Sequence, residues 1–144
     1  MMTPADETLL RRAIAIAAQA ITLGDAPYGS LLADADGAIL IEAHNTVRRD
    51  NDIAAHPELK LARWAARALD PESAALTTMY TSCQPCGMCA GGIVRSGLGR
   101  VVYALSGEQF AGLKLEPDWP TVAQDGPALF EEARIPIQDY YRPR

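Results

Sequence analysis

The sequence predicts an α/β layered domain that opens with a β-hairpin. Three observations carry that prediction. Short β-rich segments alternate with segments of helical period. A turn signal, Ala35-Asp36-Gly37, joins the first two β-rich segments. The chain has 144 residues, 49% hydrophobic and 22% charged, enough for one well-cored domain and too apolar for a disordered chain.

The first element is a helix. Thr3 is placed to cap it, Pro4 suits its first position, and Asp6 and Glu7 face its positive end. Leu10, Ile14, Ala17 and Ile21 recur at helical spacing, which predicts that their face is buried, and Gly24 stops the helix. Arg11 and Arg12 before Ala13–Ile21 look like a twin-arginine signal, but Asp6 and Glu7 stand where a signal would be basic. No run of about eighteen apolar residues exists, so no membrane span is expected and the reading is a soluble cytoplasmic protein.

Residues 30–34 and 38–44 read as the hairpin strands, followed by a polar loop over 45–52. Residues 57–69 read as a helix with Pro57 at its first position and Asp70-Pro71 ending it. Residues 77–82 are a short strand, 86–95 a helix opened by Pro85 and closed near Gly97, and 100–105 a further strand. Pro117, Pro120, Pro127 and Pro136 break up the remainder, where a short helix over 127–134 and a final extended or helical piece are expected.

Charge and cysteine usage narrow the function. Thirteen Lys and Arg against eighteen Asp and Glu give a net charge of −5. That argues against a nucleic-acid partner, whose phosphates call for clustered positive charge, without forbidding a local basic groove. Three cysteines cannot all pair, and Cys83, Cys86 and Cys89 fall in one stretch, which suits metal or redox chemistry in a reducing compartment.

The chemistry-bearing residues lie at two helix starts, His56-Pro57-Glu58 and Pro85-Cys86-Gly87-Met88-Cys89. Spacing puts both thiols on one side of a turn, and the helix N-termini favour thiolates. One His and two thiolates are three ligands, which leaves a tetrahedral zinc one open position, the arrangement of catalytic rather than structural sites. Glu58 sits close to such a metal, suited to proton transfer rather than ligation.

His-x-Glu followed by Pro-Cys-x-x-Cys is a signature of zinc nucleobase deaminases. On His56, Glu58, Pro85, Cys86 and Cys89 the chain resembles the cytidine and nucleobase deaminase superfamily, in its guanine and cytosine deaminase-like branch. Ala26-Pro27-Tyr28-Gly29 resembles the family's Pro-Phe-Gly segment, His44-Asn45 its His-Asn pair, and residues 88–93 and 100–103 further family text. Coverage is about residues 1 to 110, looser afterwards. The resemblance implies a three-layer α/β/α fold around a central mixed five-stranded sheet, one deaminase domain over residues 1–144 and a homodimer. It also implies Zn2+ held by His56, Cys86 and Cys89, and Glu58 as proton carrier. The implied substrate contacts are Asn45, Tyr28 and Gln109, with residues 110–144 closing the site. The implied reaction is hydrolytic removal of an exocyclic amino group from a small aminated heterocycle of guanine, cytosine or aminotriazine type, releasing ammonia.

Departures bear on the substrate. Pro57 replaces a small residue whose backbone N–H, in relatives, binds a carbonyl oxygen of the base, and proline has no N–H. It equally starts a helix well. Gln84 stands where many relatives carry Glu, and Gln109 near where guanine-deaminating members carry an acid; both read equally as ordinary loop residues, and Glu108 is adjacent. Met88-Cys89-Ala90-Gly91 is also text of tRNA adenosine deaminases, the first alternative. Lys60, Arg63 and Arg67 share a helix face that reads as solvated rather than phosphate-binding.

Among other residues, Cys83 reads as a buried thiol, Met79 and Met88 as core and His44 as a satisfied loop histidine. Trp64 reads as packing its helix, and Trp119 as packing or a subunit contact rather than a lid. Asp139, Tyr140 and Tyr141 are candidates to close the pocket. Three other classes compete: a thiol–disulfide oxidoreductase using Cys83 and Cys86, a closed zinc module using all three cysteines and His56, and an iron–sulfur site, which would need a fourth cysteine.

Overall fold

The computed structural model describes residues 1–114 and 120–143. Trp119 and Arg144 therefore lie outside the described residues. The chain forms two compact units, Met1–Lys114 and Leu115–Arg144.

In the first unit, helix α1 (Pro4–Thr22) leads into strands β1 (Gly29–Ala33) and β2 (Ile39–His44), a short turn α2 (Val47–Asp50) and helix α3 (Pro57–Ala68). Helix α4 (Pro71–Ala75), strand β3 (Thr78–Cys83), helix α5 (Gly87–Ser96), strand β4 (Arg100–Leu105) and helix α6 (Gly107–Leu113) follow. The sheet order is β2-β1-β3-β4. β1 pairs antiparallel with β2 and β3, whereas β3 and β4 are parallel and require the crossover that α5 supplies.

Period-two alternation sends β1 and β3 side chains into two cores. Leu31, Ala33, Tyr80 and Val102 meet Leu10 and Ile16 of α1 on one face. Leu32 and Met79 meet Leu61, Ala62 and Ala65 of α3 and Ile93 of α5 on the other. This is the expected three-layer α/β/α arrangement around a mixed sheet. The sheet has four strands among the described residues, not five. Beyond β4 the described chain forms helices, and residues 120–129 carry Pro120 and Pro127, which lack the N–H a ladder needs.

α1 is rotated from its expected setting. Ile14 and Ile21 are 48% and 61% exposed, while Ala13, Ile16, Ala17 and Ala20 are buried with Leu10. The small residues let the helix backbone press onto the sheet. A Cβ at Gly29 would stand 2.5 Å from the Ala17 nitrogen and 2.6 Å from the Ala13 oxygen, so only glycine fits. Thr3 and Asp6 form a reciprocal capping box at the start of α1, worth about 1 kcal/mol.

Asp6 also fastens the layers. Its carboxylate accepts from both Nη atoms of Arg100 at 3.0 Å and from the Tyr80 hydroxyl at 2.6 Å. These bonds, with that of Thr3, hold Asp6 well below the usual carboxylate range, and burial with the Asp6 charge pushes Tyr80 up to about 12.

Three helices were not expected, the first being α2, which falls within the segment read as a polar loop. Asp70-Pro71 ends α3 as read, yet Asp70 accepts from the Ser73 N–H at 2.8 Å and starts α4. α6 is capped by Ser106 and Gln109. Met79 is core, but Met88 is 42% exposed on α5, contrary to expectation. In the second unit, helix α7 (Phe130–Tyr141) begins three residues later than the expected 127–134 helix and runs through Pro136, with Arg134 bonded to Glu131 and Gln138. Asp139, Tyr140 and Tyr141 lie in its last turn.

Candidate metal centre

The topology gathers the candidate residues at one end of the sheet. Because β2 and β3 run against β1, they end where β1 begins, and β4 ends beside β3. The starts of α3, α5 and α6 follow those strand ends or their loops.

His56 is the N-cap of α3 and Cys86 the N-cap of α5, with Cys89 one turn on. The His56 Nδ1 lies 3.8 Å from the Cys86 sulfur and 3.4 Å from the Cys89 sulfur, and all three donor atoms fall within 4.8 Å of one another. Zinc bonds of about 2.0–2.3 Å in a tetrahedron put N and S ligands roughly 3.6 Å apart. Both N–S separations therefore match the edges of a zinc tetrahedron. Burial, reinforced by the charges of Glu58 and Cys86, pushes the Cys89 thiol up, and the Leu59 N–H partly offsets this. A dication among these groups would favour the thiolates. Cys83 is half-buried and outside this three-donor group; burial and Glu58 push its thiol up too. The closed four-ligand module thus lacks its fourth ligand among the described residues.

Glu58 is in the first turn of α3 and only 7% exposed. Burial pushes its carboxyl above the ordinary value, opposed by its own N–H, His56, Cys89 and Ser30. Its Oε1 lies 3.4 Å from the Ser30 hydroxyl, which is 2.7 Å from that of Thr81.

Asn45 is buried, and its Oδ1 accepts from the Val47 N–H at 3.0 Å, which orients the amide nitrogen of the side chain oppositely. Its own N–H donates to the Tyr28 carbonyl at 3.0 Å. Tyr28 is half-buried and packs edge-on against Phe110 at 5.9 Å. His44 is satisfied as read, with Nδ1 2.9 Å from the Asn45 carbonyl, so that nitrogen carries the proton.

Lys60 departs from the solvated face expected of it. It is half-buried, and its ammonium donates to the His44 carbonyl at 2.7 Å and the Thr46 hydroxyl at 2.9 Å, clamping the chain on either side of Asn45. Gln109 is exposed, and its carboxamide oxygen accepts from the Ser106 N–H at 3.0 Å, which occupies that oxygen in capping α6. The Gln84 oxygen accepts from the Gly107 N–H at 2.8 Å and ties the β3–α5 loop to α6.

Ser30 and Thr81 carry no role in the sequence reading, and Lys60 only that of a solvated face. For Ser30 the available signal was a lone hydroxyl in the otherwise apolar β1, whereas Thr81 shares β3 with Thr78 and Ser82 and is not singled out. Lys60 carried none, since a lysine on an amphipathic helix normally faces solvent.

The profile of the cytidine and deoxycytidylate deaminase zinc-binding region matches residues 3–105. A guanine deaminase of Bacillus subtilis is 34% identical over 132 residues, covering 91% of this chain and 83% of that protein. A probable cytosine deaminase of Schizosaccharomyces pombe is 34% identical over 109 residues, covering 75% and 65%. The X-ray structure of guanine deaminase from Bacillus subtilis superposes with a TM-score of 0.75 at 30% identity, covering 96% of this chain and 94% of that one.

Proposed function

The chain belongs to the cytidine and deoxycytidylate deaminase family, a zinc-binding family of hydrolytic deaminases acting here on a nucleobase, and from that premise we propose that it deaminates a free base of guanine type. The observation that carries the proposal is a buried carboxylate, Glu58, two residues from His56 in a three-donor cluster that fits zinc.

In this reading His56, Cys86 and Cys89 hold the metal. Bound zinc would supply the Lewis acidity that makes water nucleophilic near neutral pH. Glu58 takes the proton of the attacking water on its carboxylate and returns it to the ring nitrogen. It then serves the departing ammonia in the same way. Its burial suits both tasks, because a carboxyl pushed up toward the working pH both accepts and gives a proton.

Asn45, with Oδ1 committed to Val47, offers its side-chain NH2 to a ring carbonyl. The Lys60 clamp keeps it there. Tyr28 supplies an aromatic wall, and the Gln109 NH2 is the part of that side chain left for a ligand. Pro57 removes one backbone donor from the start of α3, so Asn45 carries more of the carbonyl recognition. The proposal includes a homodimer, a cytoplasmic setting for the three free cysteines, and one deaminase domain over residues 1–144. No helix of the described residues is long and apolar enough to cross a membrane.

The test is ammonia release by the zinc-loaded protein from guanine, cytosine, adenine, their nucleosides, aminotriazines and a tRNA anticodon stem. Turnover of guanine supports the proposal. Turnover of the RNA alone would replace it with tRNA editing, against the net charge of −5.

A further inference from the structure

Two buried hydroxyls stand behind Glu58. Ser30 of β1 and Thr81 of β3 face each other across the antiparallel pair, and both are almost wholly buried on the α3 side of the sheet. Their oxygens are 2.7 Å apart, and the Ser30 oxygen lies 3.4 Å from Glu58 Oε1. We propose that Ser30 and Thr81 form a two-hydroxyl relay that positions the Glu58 carboxylate.

The direction of the relay follows from proton counting. Each hydroxyl has one proton, and an ionised carboxylate can only accept. The Ser30 proton therefore goes to Glu58, and the Thr81 proton goes to the Ser30 oxygen. The reverse order would leave a carboxylate oxygen facing a lone pair inside the protein. A Ser–Thr pair alone would be an ordinary cross-strand contact. Here the third oxygen gives the pair a direction. The 3.4 Å contact is long for O–H···O, as hydrogen bonds at reacting groups often are before substrate arrives.

Neither hydroxyl is placed against the substrate, so both are positioning residues. A proton carrier must stay within hydrogen-bond reach of two sites in turn, and small misplacements lower turnover. Glu58 is held at its backbone by the first turn of α3. The relay adds a contact at the far end of the side chain, from a central strand rather than a loop. The inference rests on the deaminase reading above.

The experiment uses the full zinc-loaded chain and the variants Ser30→Ala, Thr81→Val and Thr81→Ser. On guanine, the first two should lower kcat about tenfold with KM within about twofold, and Thr81→Ser should restore kcat. In protein labelled with 13C at glutamate Cδ, the Glu58 resonance is assigned by its absence in Glu58→Gln. That resonance should move in Ser30→Ala and Thr81→Val, and return in Thr81→Ser. Zinc content should stay constant throughout. Thr81→Val preserves side-chain shape and carries the test if Ser30→Ala fails to fold. A Glu58 resonance unmoved by Thr81→Val overturns the relay, as does a kcat loss accompanied by a comparable rise in KM and a fall in Tm. Wild-type protein silent on guanine would defeat the substrate reading alone, since the resonance reports the relay without turnover.

Discussion

The Nδ1 atom of His56 lies 3.4 Å from the Cys89 sulfur across thirty-three residues of sequence. α3 and α5 bring the two together, each starting at the same end of the sheet, so the metal site joins two elements that already pack on one another through the core of Leu61, Ala62 and Ile93. Zinc binding and the stability of that layer are therefore linked. The purified protein is expected to hold one zinc per chain, and Cys89→Ala to hold almost none. Free zinc at a thousand times Kd should stabilise the protein by about 4 kcal/mol, so Tm should rise with zinc in wild type only. Equal zinc content in Cys89→Ala, measured by atomic absorption, would remove Cys89 from the site.

Glu58→Gln separates binding from proton transfer. The amide keeps the shape and the Ser30 contact but cannot cycle a proton. Zinc content should be unchanged while kcat for ammonia release falls by about 10²–10⁴. Activity near wild type would leave Glu58 with no part in the reaction.

Asp6 makes the fold acid-sensitive in a defined direction. Arg100, Tyr80 and Thr3 hold its folded carboxyl well below the value of an unfolded Asp, about 3.9. The stabilisation is thus fully present above that unfolded value and is lost as pH falls toward the folded one. Asp6→Asn should lower Tm by roughly 5–10 °C at pH 7. The gap between variant and wild type should narrow progressively below about pH 4. A gap that is constant from pH 7 to pH 3 would show that the ionised carboxylate contributes nothing.

The candidate metal ligands and the helices bearing them are legible because both signals are local. Pro57 marks the start of α3 and Gly97 the end of α5 by rules of a single turn, and the Cys86–Cys89 spacing is itself a helical repeat. The buried face of α1 was not legible, since Leu10-Ile14-Ala17-Ile21 is as good a helical stripe as the one used. What decides between them is Gly29, whose missing Cβ admits the helix backbone. Lys60 shows the same limit: its local reading, a solvated face, is overridden by the distant His44 carbonyl. The four-strand sheet corrects an expectation taken from resemblance, in a region where prolines had already weakened any strand signal.

Pro57 offers the sharpest test of substrate choice. It occupies the first position of α3, directly after the metal-ligand candidate His56, and its ring is fully buried. Any other residue would present its N–H beyond the helix end, because first-turn donors have no intrahelical acceptor. The Glu58 N–H favours its own ionised carboxylate, and the Leu59 N–H favours the Cys89 thiolate. Pro57→Ala therefore restores one donor where the pocket otherwise relies on the Asn45 side chain. For guanine, whose ring carries a carbonyl, KM should fall by up to about tenfold. For an aminotriazine without a carbonyl, KM should not change. Stability should drop by about 0.4–1 kcal/mol in either case, because alanine frees the unfolded chain that proline had restricted. If the two substrates respond alike, the proline acts only as a helix start, and carbonyl recognition lies entirely with side chains.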